Sequence, residues 1–400
     1  MNEVYRHIKI LFYLILLFSG MLKWGPLQAF DSTIIFGVLC ILIMGMELIM
    51  QPNQLSKIWR WPSLFVFLIL VLSVLSLSYT SSYAYCYKKI LQFVLTVAAF
   101  YYPQSVLKSE DHPLLVNYIR VFLLIAVATL LFFYISFGYT FLPLIILATD
   151  GTTSIPNYLV LSAFLVIALL YLINKNSIFD IILKLLAVFL LFQLGGRGPI
   201  IILVAILFLD YMLLNFRMKR LLVFIAGLIL VLSIVFYLDL DLSNNRSLNR
   251  FQRLNSGNDK SLNERIRLIN ASFNIIEDNT WLGTGIGSYG QEAKGIDFKA
   301  YPHNLFLEVA SEIGFTGLLL TILFLISVIW ATLKYFYTRK HLFVKYKGAV
   351  YVAFFLFLEN LKSNSFFENK LLFGSIGILL LLSQASNTEE KLLNVDHEKK

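Results

Sequence analysis

Apolar runs, each long enough to cross a hydrocarbon core of roughly 30 Å, recur along this chain with short polar breaks between them. They centre near Ile15, Ile41, Leu70, Thr96, Ala126, Val166, Ala187, Ala205, Leu228, Leu320, Phe355 and Ile378. A backbone in lipid must satisfy its own hydrogen bonds, so each run reads as a helix of roughly twenty residues. The pattern predicts about twelve membrane helices and an all-α polytopic membrane protein. It changes character on a large scale once, in a polar insert from Asp239 to Tyr301. Residues 1–238 then carry the first nine predicted helices, 239–303 an extracytoplasmic loop with an amphipathic helix, 304–385 the last three helices, and 386–400 a cytoplasmic tail.

Inside the insert, Ser261-Leu262-Asn263-Glu264 has the form of a capping box, in which the serine accepts from the third position and the glutamate reaches back. Leu262, Ile266, Ile269, Phe273 and Ile276 follow at alternating spacings of four and three, which predicts an amphipathic helix with its apolar stripe against protein or lipid. Next comes Trp281-Leu282-Gly283-Thr284-Gly285-Ile286-Gly287-Ser288-Tyr289-Gly290. Its Gly285-x-Gly287-x-x-Gly290 formally matches a dinucleotide fingerprint. The match follows a helix instead of a strand and has no parallel-sheet context, so a tight turn whose backbone packs close to a membrane surface is the better account.

Composition supports the membrane reading: 58% of residues are hydrophobic and only 14% charged, far from the balance of a soluble domain. The net charge of +9 does not point to nucleic acid, because many basic residues cluster at helix ends, where they first signal topology. Lys57, Arg60, Lys108, Lys175, the clusters at 217–220 and 334–347, and the tail all fall on one side. Both termini are therefore expected inside and the insert outside. Lys88 and Lys89 depart from this, near an outer helix end. The first span, led by Arg6 and Lys9, shows no cleavage pattern and is expected to stay as an anchor. Cys40 and Cys86 have no ligand or disulfide spacing. No internal repeat is visible, which weighs against matched transporter halves.

The densest chemistry closes the insert, in Tyr301-Pro302-His303-Asn304-Leu305-Phe306-Leu307-Glu308. Here His303 is the one histidine expected to face outside, and Asn304, Glu308 and Glu312 share one helical face at four-residue spacing. Such a polar stripe in a membrane helix usually has a use.

With that run, its continuation Glu312-Ile313-Gly314-Phe315-Thr316-Gly317 and the glycine-rich turn in place, the chain resembles the O-antigen ligase and polymerase family, which are bacterial membrane glycosyltransferases. The turn Leu194-Gly195-Gly196-Arg197-Gly198 is similar to a small-residue-plus-arginine turn of that family. Asn364-Ser365-Phe366-Phe367-Glu368-Asn369-Lys370 looks like its polymerase members. The resemblance spans roughly 190–382 and implies a GT-C-like fold in the bacterial cytoplasmic membrane, with the active site on the outer face. It also implies a glycan donor on a polyprenyl diphosphate, a glycan acceptor, and a chain-length regulator and a flippase as possible partners. By the same resemblance His303 matches the base, Arg197 the arginine of the small-residue turn, and Arg265 the arginine of the helix before the glycine-rich turn. Arg246, Arg250, Arg253 and Arg267 also lie in the insert.

Glycosyl transfer from a lipid diphosphate needs a base for the acceptor hydroxyl and positive charge for the departing diphosphate. A histidine, with a reference pKa of about 6.5, can be the base, and arginine forks match phosphate oxygens. Arg197 and Arg265 fill the second role, and Asn304 or Glu308 can orient His303. Arg246, Arg250 and Arg253, with Lys88 and Lys89, are further substrate-binding candidates. No carboxylate cluster with metal spacing appears, and neither metal nor cofactor is expected. Simpler roles compete: His303 as an interfacial histidine, Arg197 as an anchor, Arg265 and the other insert arginines as solvated charges, and Glu308 and Glu312 as hydrogen-bond partners of other helices. The expected reaction is metal-independent, inverting polymerisation of repeat units into O-antigen or capsular polysaccharide. Ligation of the same glycan to a lipid A core, as in lipopolysaccharide, is the nearest alternative, and a transporter or flippase is the non-enzymatic one.

Overall fold

The computed structural model describes residues 3–22, 31–51, 60–136, 158–214, 260–362 and 364–397. Among them every regular element is a helix. The N-terminal helices are α1 (Glu3–Leu22), α2 (Ser32–Met50), α3 (Trp61–Leu75), α4 (Tyr85–Val106) and α5 (His112–Ser136). Next come α6 (Tyr158–Tyr171), α7 (Ile178–Leu194), α8 (Arg197–Leu214), α9 (Lys260–Asp278) and α10 (Tyr289–Lys294). The C-terminal helices are α11 (Leu305–Thr338), α12 (Lys340–Asn360) and α13 (Lys370–His397). Every predicted span centre except Leu228 falls inside one of them. Leu228, Lys57, the connection at 138–157, the basic cluster at 217–220 and the insert's residues 239–259 lie outside the described residues.

Five segments are long and apolar enough to cross a bilayer: Ser32–Met50, Trp61–Ser78, Ser109–Ser136, Leu305–Tyr337 and His341–Asn360. Tyr158–Tyr171, Gly198–Met212 and Lys370–Ser383 are apolar but shorter. The chain is thus a helical, multi-pass membrane protein.

The described helices divide between two compact units. One is built from Met1–Leu22, Ala29–Tyr118 and Ser261–Lys400, the other from Lys23–Gln28 and Ile119–Lys260. In the first unit α4 is the central helix, packed along α13 and also touching α1, α2 and α3. Lipid tails are as apolar as leucine, so helices associate through close packing and hydrogen bonds more than through apolar burial. Both are present: Phe93 meets Phe366, Phe367 and Phe373 at ring separations of 5.1–6.2 Å. The hydroxyl of Tyr13 donates to the Ala99 and Gly374 carbonyls at 3.2 and 2.9 Å, tying α1 to α4 and α13.

In the second unit Gly195 ends α7 in the left-handed conformation, with φ 76°, and Arg197 opens α8 two residues later. A Cβ placed on Gly196 would lie 2.6 Å from the Ser162 hydroxyl. Gly196 therefore serves close packing on α6.

The longest helix, α11, is interrupted at Gly314, whose φ of 68° and ψ of −168° leave the helical region. A break inside a membrane helix strands backbone groups that lipid cannot satisfy. The glycine-rich turn supplies the partners. Thr284 N–H donates to Ser311 O at 3.0 Å and Gly285 N–H to Glu312 O at 2.8 Å, while Phe315 N–H donates to Thr280 O at 2.8 Å. So close a backbone approach excludes side chains: a Cβ on Gly285 would fall 2.4 Å from Thr80 Cα, and one on Gly314 2.3 Å from Trp281 O. The glycines thus make room for the protein's own backbone, a correction to the membrane-surface contact expected from sequence. The dinucleotide reading fails on the same ground, since the space beside these glycines is filled.

Candidate functional site

Helix α9 brings one arginine toward this region. Its protein-facing side is Leu268, Ser272 and Ile275, packed around Tyr289. The Tyr289 hydroxyl donates to Leu268 O at 2.5 Å. The predicted stripe lies off this face: Ile266 and Phe273 are exposed, so of the two alternatives for that stripe, protein is not what covers these residues. Arg265 is half-buried, and its Nη1 donates to the Lys362 carbonyl at 3.4 Å, at the C-terminal end of α12. Nearby, Glu264 accepts from Arg267 and Lys294 at 2.9 and 2.7 Å. The hydrogen bonds from Arg267 and then Lys294 hold its carboxyl down to about 2.

The run 301–308 turns into α11 through Asn304. Its Oδ1 accepts from Phe306 N–H and Leu307 N–H at 3.0 and 3.2 Å, an N-cap satisfying donors the helix itself cannot. Its Nδ2 reaches across to the Leu361 carbonyl at 3.2 Å. Both Asn304 and Arg265 therefore bond to successive carbonyls where α12 ends.

His303, just before this cap, has φ 58° and is the non-glycine residue with positive φ among those described. The left-handed region is uncommon for a residue with a side chain, though histidine visits it more than most, and such conformations gather at functional sites. The His303 ring lies 4.6 Å from the Tyr301 ring, centroid to centroid. Burial pushes the Tyr301 phenol up to about 12, with Glu308 and Glu368 adding to the shift and Arg265 and Lys89 opposing it. Tyr301 thus lies within electrostatic reach of charges from α4, α9, α11 and the loop before α13.

Beneath it is a buried charge cluster. Lys89 Nζ contacts Glu308 Oε1 at 2.7 Å and Glu312 Oε1 at 2.8 Å, with all three side chains at most 1% exposed. Glu308 also accepts from Ser365 Oγ and from Phe366 N–H, both at 2.6 Å, and Glu312 Oε2 accepts from Gly287 N–H at 3.1 Å. The three residues tie together α4, α11, the glycine-rich turn and the loop before α13. Lys89 escapes the basic-residue topology rule because its charge is neutralised inside the protein, whereas Lys88 is exposed. Since both Glu308 oxygens are engaged here, the described contacts of this carboxylate run to Lys89, the Ser365 hydroxyl and the Phe366 N–H.

A second polar group rims the first. Glu368 accepts from the Tyr85 hydroxyl at 2.7 Å and forms a close ion pair with Lys299. The Lys299 ammonium lies 5.9 Å from the Tyr301 ring centre. Asp297 accepts from Ser82 Oγ and from the backbone of Tyr83 and Ala84 at 2.6–2.9 Å, fixing the end of the insert to the start of α4. Burial works to raise this carboxyl, but those hydrogen bonds outweigh it and leave it below its ordinary range.

In the first unit, then, His303, Asn304, Glu308, Lys89 and Arg265 share one neighbourhood. Arg197 begins α8 in the second unit, and Arg246, Arg250 and Arg253 lie outside the described residues. Tyr301, Lys299, Glu368 and Tyr85 were not singled out as site residues from the sequence. Tyr301 and Glu368 do sit in the two polar runs that carried the resemblance, which was the available signal. Among the described residues no group of three or more His, Cys, Asp or Glu side chains is placed to hold a metal ion.

Residues 182–322 match the family model described as O-antigen ligase. The matched stretch takes in Arg197, Arg265, His303, Glu308, Glu312 and the glycine-rich turn, and it points to a membrane enzyme of the ligase and polymerase type. No curated protein matches the chain.

Proposed function

We propose that the chain is a membrane glycosyltransferase that joins polyprenyl-diphosphate-linked oligosaccharide repeat units into a polysaccharide. The observation that carries this reading is the family match over 182–322, a stretch containing both His303 and the arginines suited to a diphosphate. The local geometry supports it: His303 stands on a strained backbone against Tyr301, a side chain that also feels Arg265.

The imidazole of His303 takes the proton of an acceptor sugar hydroxyl. The hydroxyl oxygen attacks the anomeric carbon of the donor as the bond from that carbon to the phosphate oxygen breaks, inverting the configuration. The diphosphate departs with the bonding electron pair, and Arg197 and Arg265 neutralise the charge it gains. Lys88, Arg246, Arg250 and Arg253 serve the glycan or head group. Lys89, saturated by two carboxylates, acts by holding the surrounding loops. The reaction is assigned to the outer face of the bacterial cytoplasmic membrane, next to the flippase that delivers donors and a regulator that sets chain length.

Ligation is the second reading, favoured by the description of the matching family. The two share donor and catalytic parts and differ in acceptor. Purified chain supplied only with lipid-linked repeats should lengthen them. Growth only when a lipid A core is added would make it a ligase, and no turnover of donor under either condition would leave the transporter reading.

A further inference from the structure

Tyr301 joins two properties: its ring packs on the candidate base, and its hydroxyl is unspent among the described residues. The ring lies 4.6 Å from the His303 ring, centroid to centroid, and 5.9 Å from the Lys299 ammonium. Pro302 follows it and biases its backbone toward the extended region, so the ring is carried on a short, stiff segment. A buried tyrosine usually finds a partner for its O–H. The Tyr85 and Tyr289 hydroxyls, which feel the same Glu308 carboxylate, donate to Glu368 Oε1 at 2.7 Å and to Leu268 O at 2.5 Å. Tyr301 is half-buried, yet among the described residues its hydroxyl has no hydrogen-bond partner. A half-buried donor left without an acceptor costs stability, and a ligand that accepts from it removes that cost.

The charges around the phenol indicate what that ligand is. Glu308 and Glu368 act on it with one sign, Arg265 and Lys89 with the other, two against two. Both carboxylates are already answered, Glu308 by Lys89 at 2.7 Å and Glu368 by a close ion pair with Lys299. A place with so little net charge draws neither an anion nor a cation strongly, and it suits a neutral molecule with many hydroxyls, which is a sugar. We propose that Tyr301 binds the acceptor sugar, its hydroxyl donating to a hydroxyl oxygen next to the one that reacts and so setting the reacting hydroxyl against the His303 imidazole. The same ring, packed on that imidazole, holds base and acceptor in one register. The proposal rests on the reading of the chain as a glycosyltransferase with His303 as its base, and it gives the acceptor a residue that this reading leaves unassigned.

The test compares the parent with Tyr301→Phe, which keeps the ring and removes only the hydroxyl, and with Tyr301→Leu, which removes both. The probe is the oligosaccharide released by mild acid from the host's own lipid-linked repeats. Its binding to the full chain in mild detergent is followed by saturation-transfer NMR, and its use as acceptor is followed with intact lipid-linked repeats as donor. Tyr301→Phe should weaken oligosaccharide binding and raise the acceptor KM by about three- to ten-fold, the weight of one neutral hydrogen bond. The donor KM and the unfolding temperature should stay as in the parent, because no hydrogen bond among the described residues is lost. Tyr301→Leu should also lower kcat on the order of ten-fold, since the base loses its support. Equal oligosaccharide binding by parent and Tyr301→Phe would overturn the assignment, even with transfer by the parent intact. A raised donor KM with an unchanged acceptor KM would overturn it too, by moving the hydroxyl to the diphosphate, and so would a parent that does not bind the oligosaccharide. A parent that binds it through Tyr301 but transfers nothing would keep the sugar contact and sink the transferase reading instead.

Discussion

Lys89 Nζ lies 2.7 Å from Glu308 Oε1, and neither side chain is more than 1% exposed. Removing one member of a buried pair leaves an uncompensated charge, which typically costs about 3–5 kcal/mol. Here Lys89 answers two carboxylates, so Lys89→Met should lower the unfolding temperature markedly. Adding Glu308→Gln should recover part of the loss, because one of the stranded charges is gone. Thermal unfolding of the single and double variants checks this, and a Lys89→Met protein as stable as the parent would remove the clamp role.

The glycine-rich turn predicts a contrast between two alanine substitutions. Gly285 has φ 91° and no space for a Cβ beside Thr80, whereas Gly295 has φ 68° but open surroundings. A left-handed backbone alone costs an alanine about 1–2 kcal/mol. Gly285→Ala should therefore be much the more damaging, since it also pushes the turn off the break in α11. Yields of folded protein and unfolding temperatures would measure the difference, and equal effects would mean that the close contact can relax.

The sequence displayed its helices and the polar run at 301–308 because apolar periodicity and local spacing are short-range signals. It placed Asn304, Glu308 and Glu312 on one face but could not say what that face meets. The answer, Lys89, is more than two hundred residues away, and only the packing of α4 against α11 supplies it. The glycines at 283–290 were visible as a turn. Their use, mending the backbone of a helix broken at Gly314, was not, because the missing hydrogen bonds exist only once the break does. The stripe at Ile266 and Phe273 was also visible, yet the buried face of α9 proved to be Leu268, Ser272 and Ile275, where Tyr289 offers a surface to pack against.

Arg265 separates charge from geometry. Its Nη1 bonds to the Lys362 carbonyl, and in the proposed reaction its planar fork also serves the diphosphate. Lysine keeps the charge but loses the fork. Arg265→Lys should cut donor turnover by about ten-fold or more, equivalent to one charge-assisted hydrogen bond of about 1.5–3 kcal/mol, while the unfolding temperature changes little. Turnover of lipid-linked donor at the parental rate would leave Arg265 with a structural bond alone.

Tyr301 gives a pH signature. Burial pushes its phenol up to about 12, above the reference of about 10, so the folded state keeps the hydroxyl neutral where the unfolded state ionises. The stability tied to this group is complete below pH about 10 and is lost as pH rises through about 12. Tyr301→Phe should abolish that part of the alkaline loss and leave stability at pH 8 nearly unchanged. Denaturant unfolding at pH 8 and 11.5 tests it, and an identical pH dependence in the variant would show that the phenol titrates as it would in water.

His303 allows strain and chemistry to be measured apart. Its φ of 58° is strained for any residue with a Cβ but not for glycine. His303→Gly should thus keep the stability of the parent, or gain up to about 1–2 kcal/mol as the left-handed penalty disappears, offset in part by the lost contact with Tyr301. His303→Ala keeps the penalty and loses the ring, so it should be the less stable of the two. If the imidazole is the base, both variants should lose about 10²–10⁴ in turnover, and the more stable glycine variant should be no more active than the alanine one. Glycine and alanine variants that polymerise lipid-linked repeats at the parental rate would show that the strained backbone at 303 serves only the entry into α11.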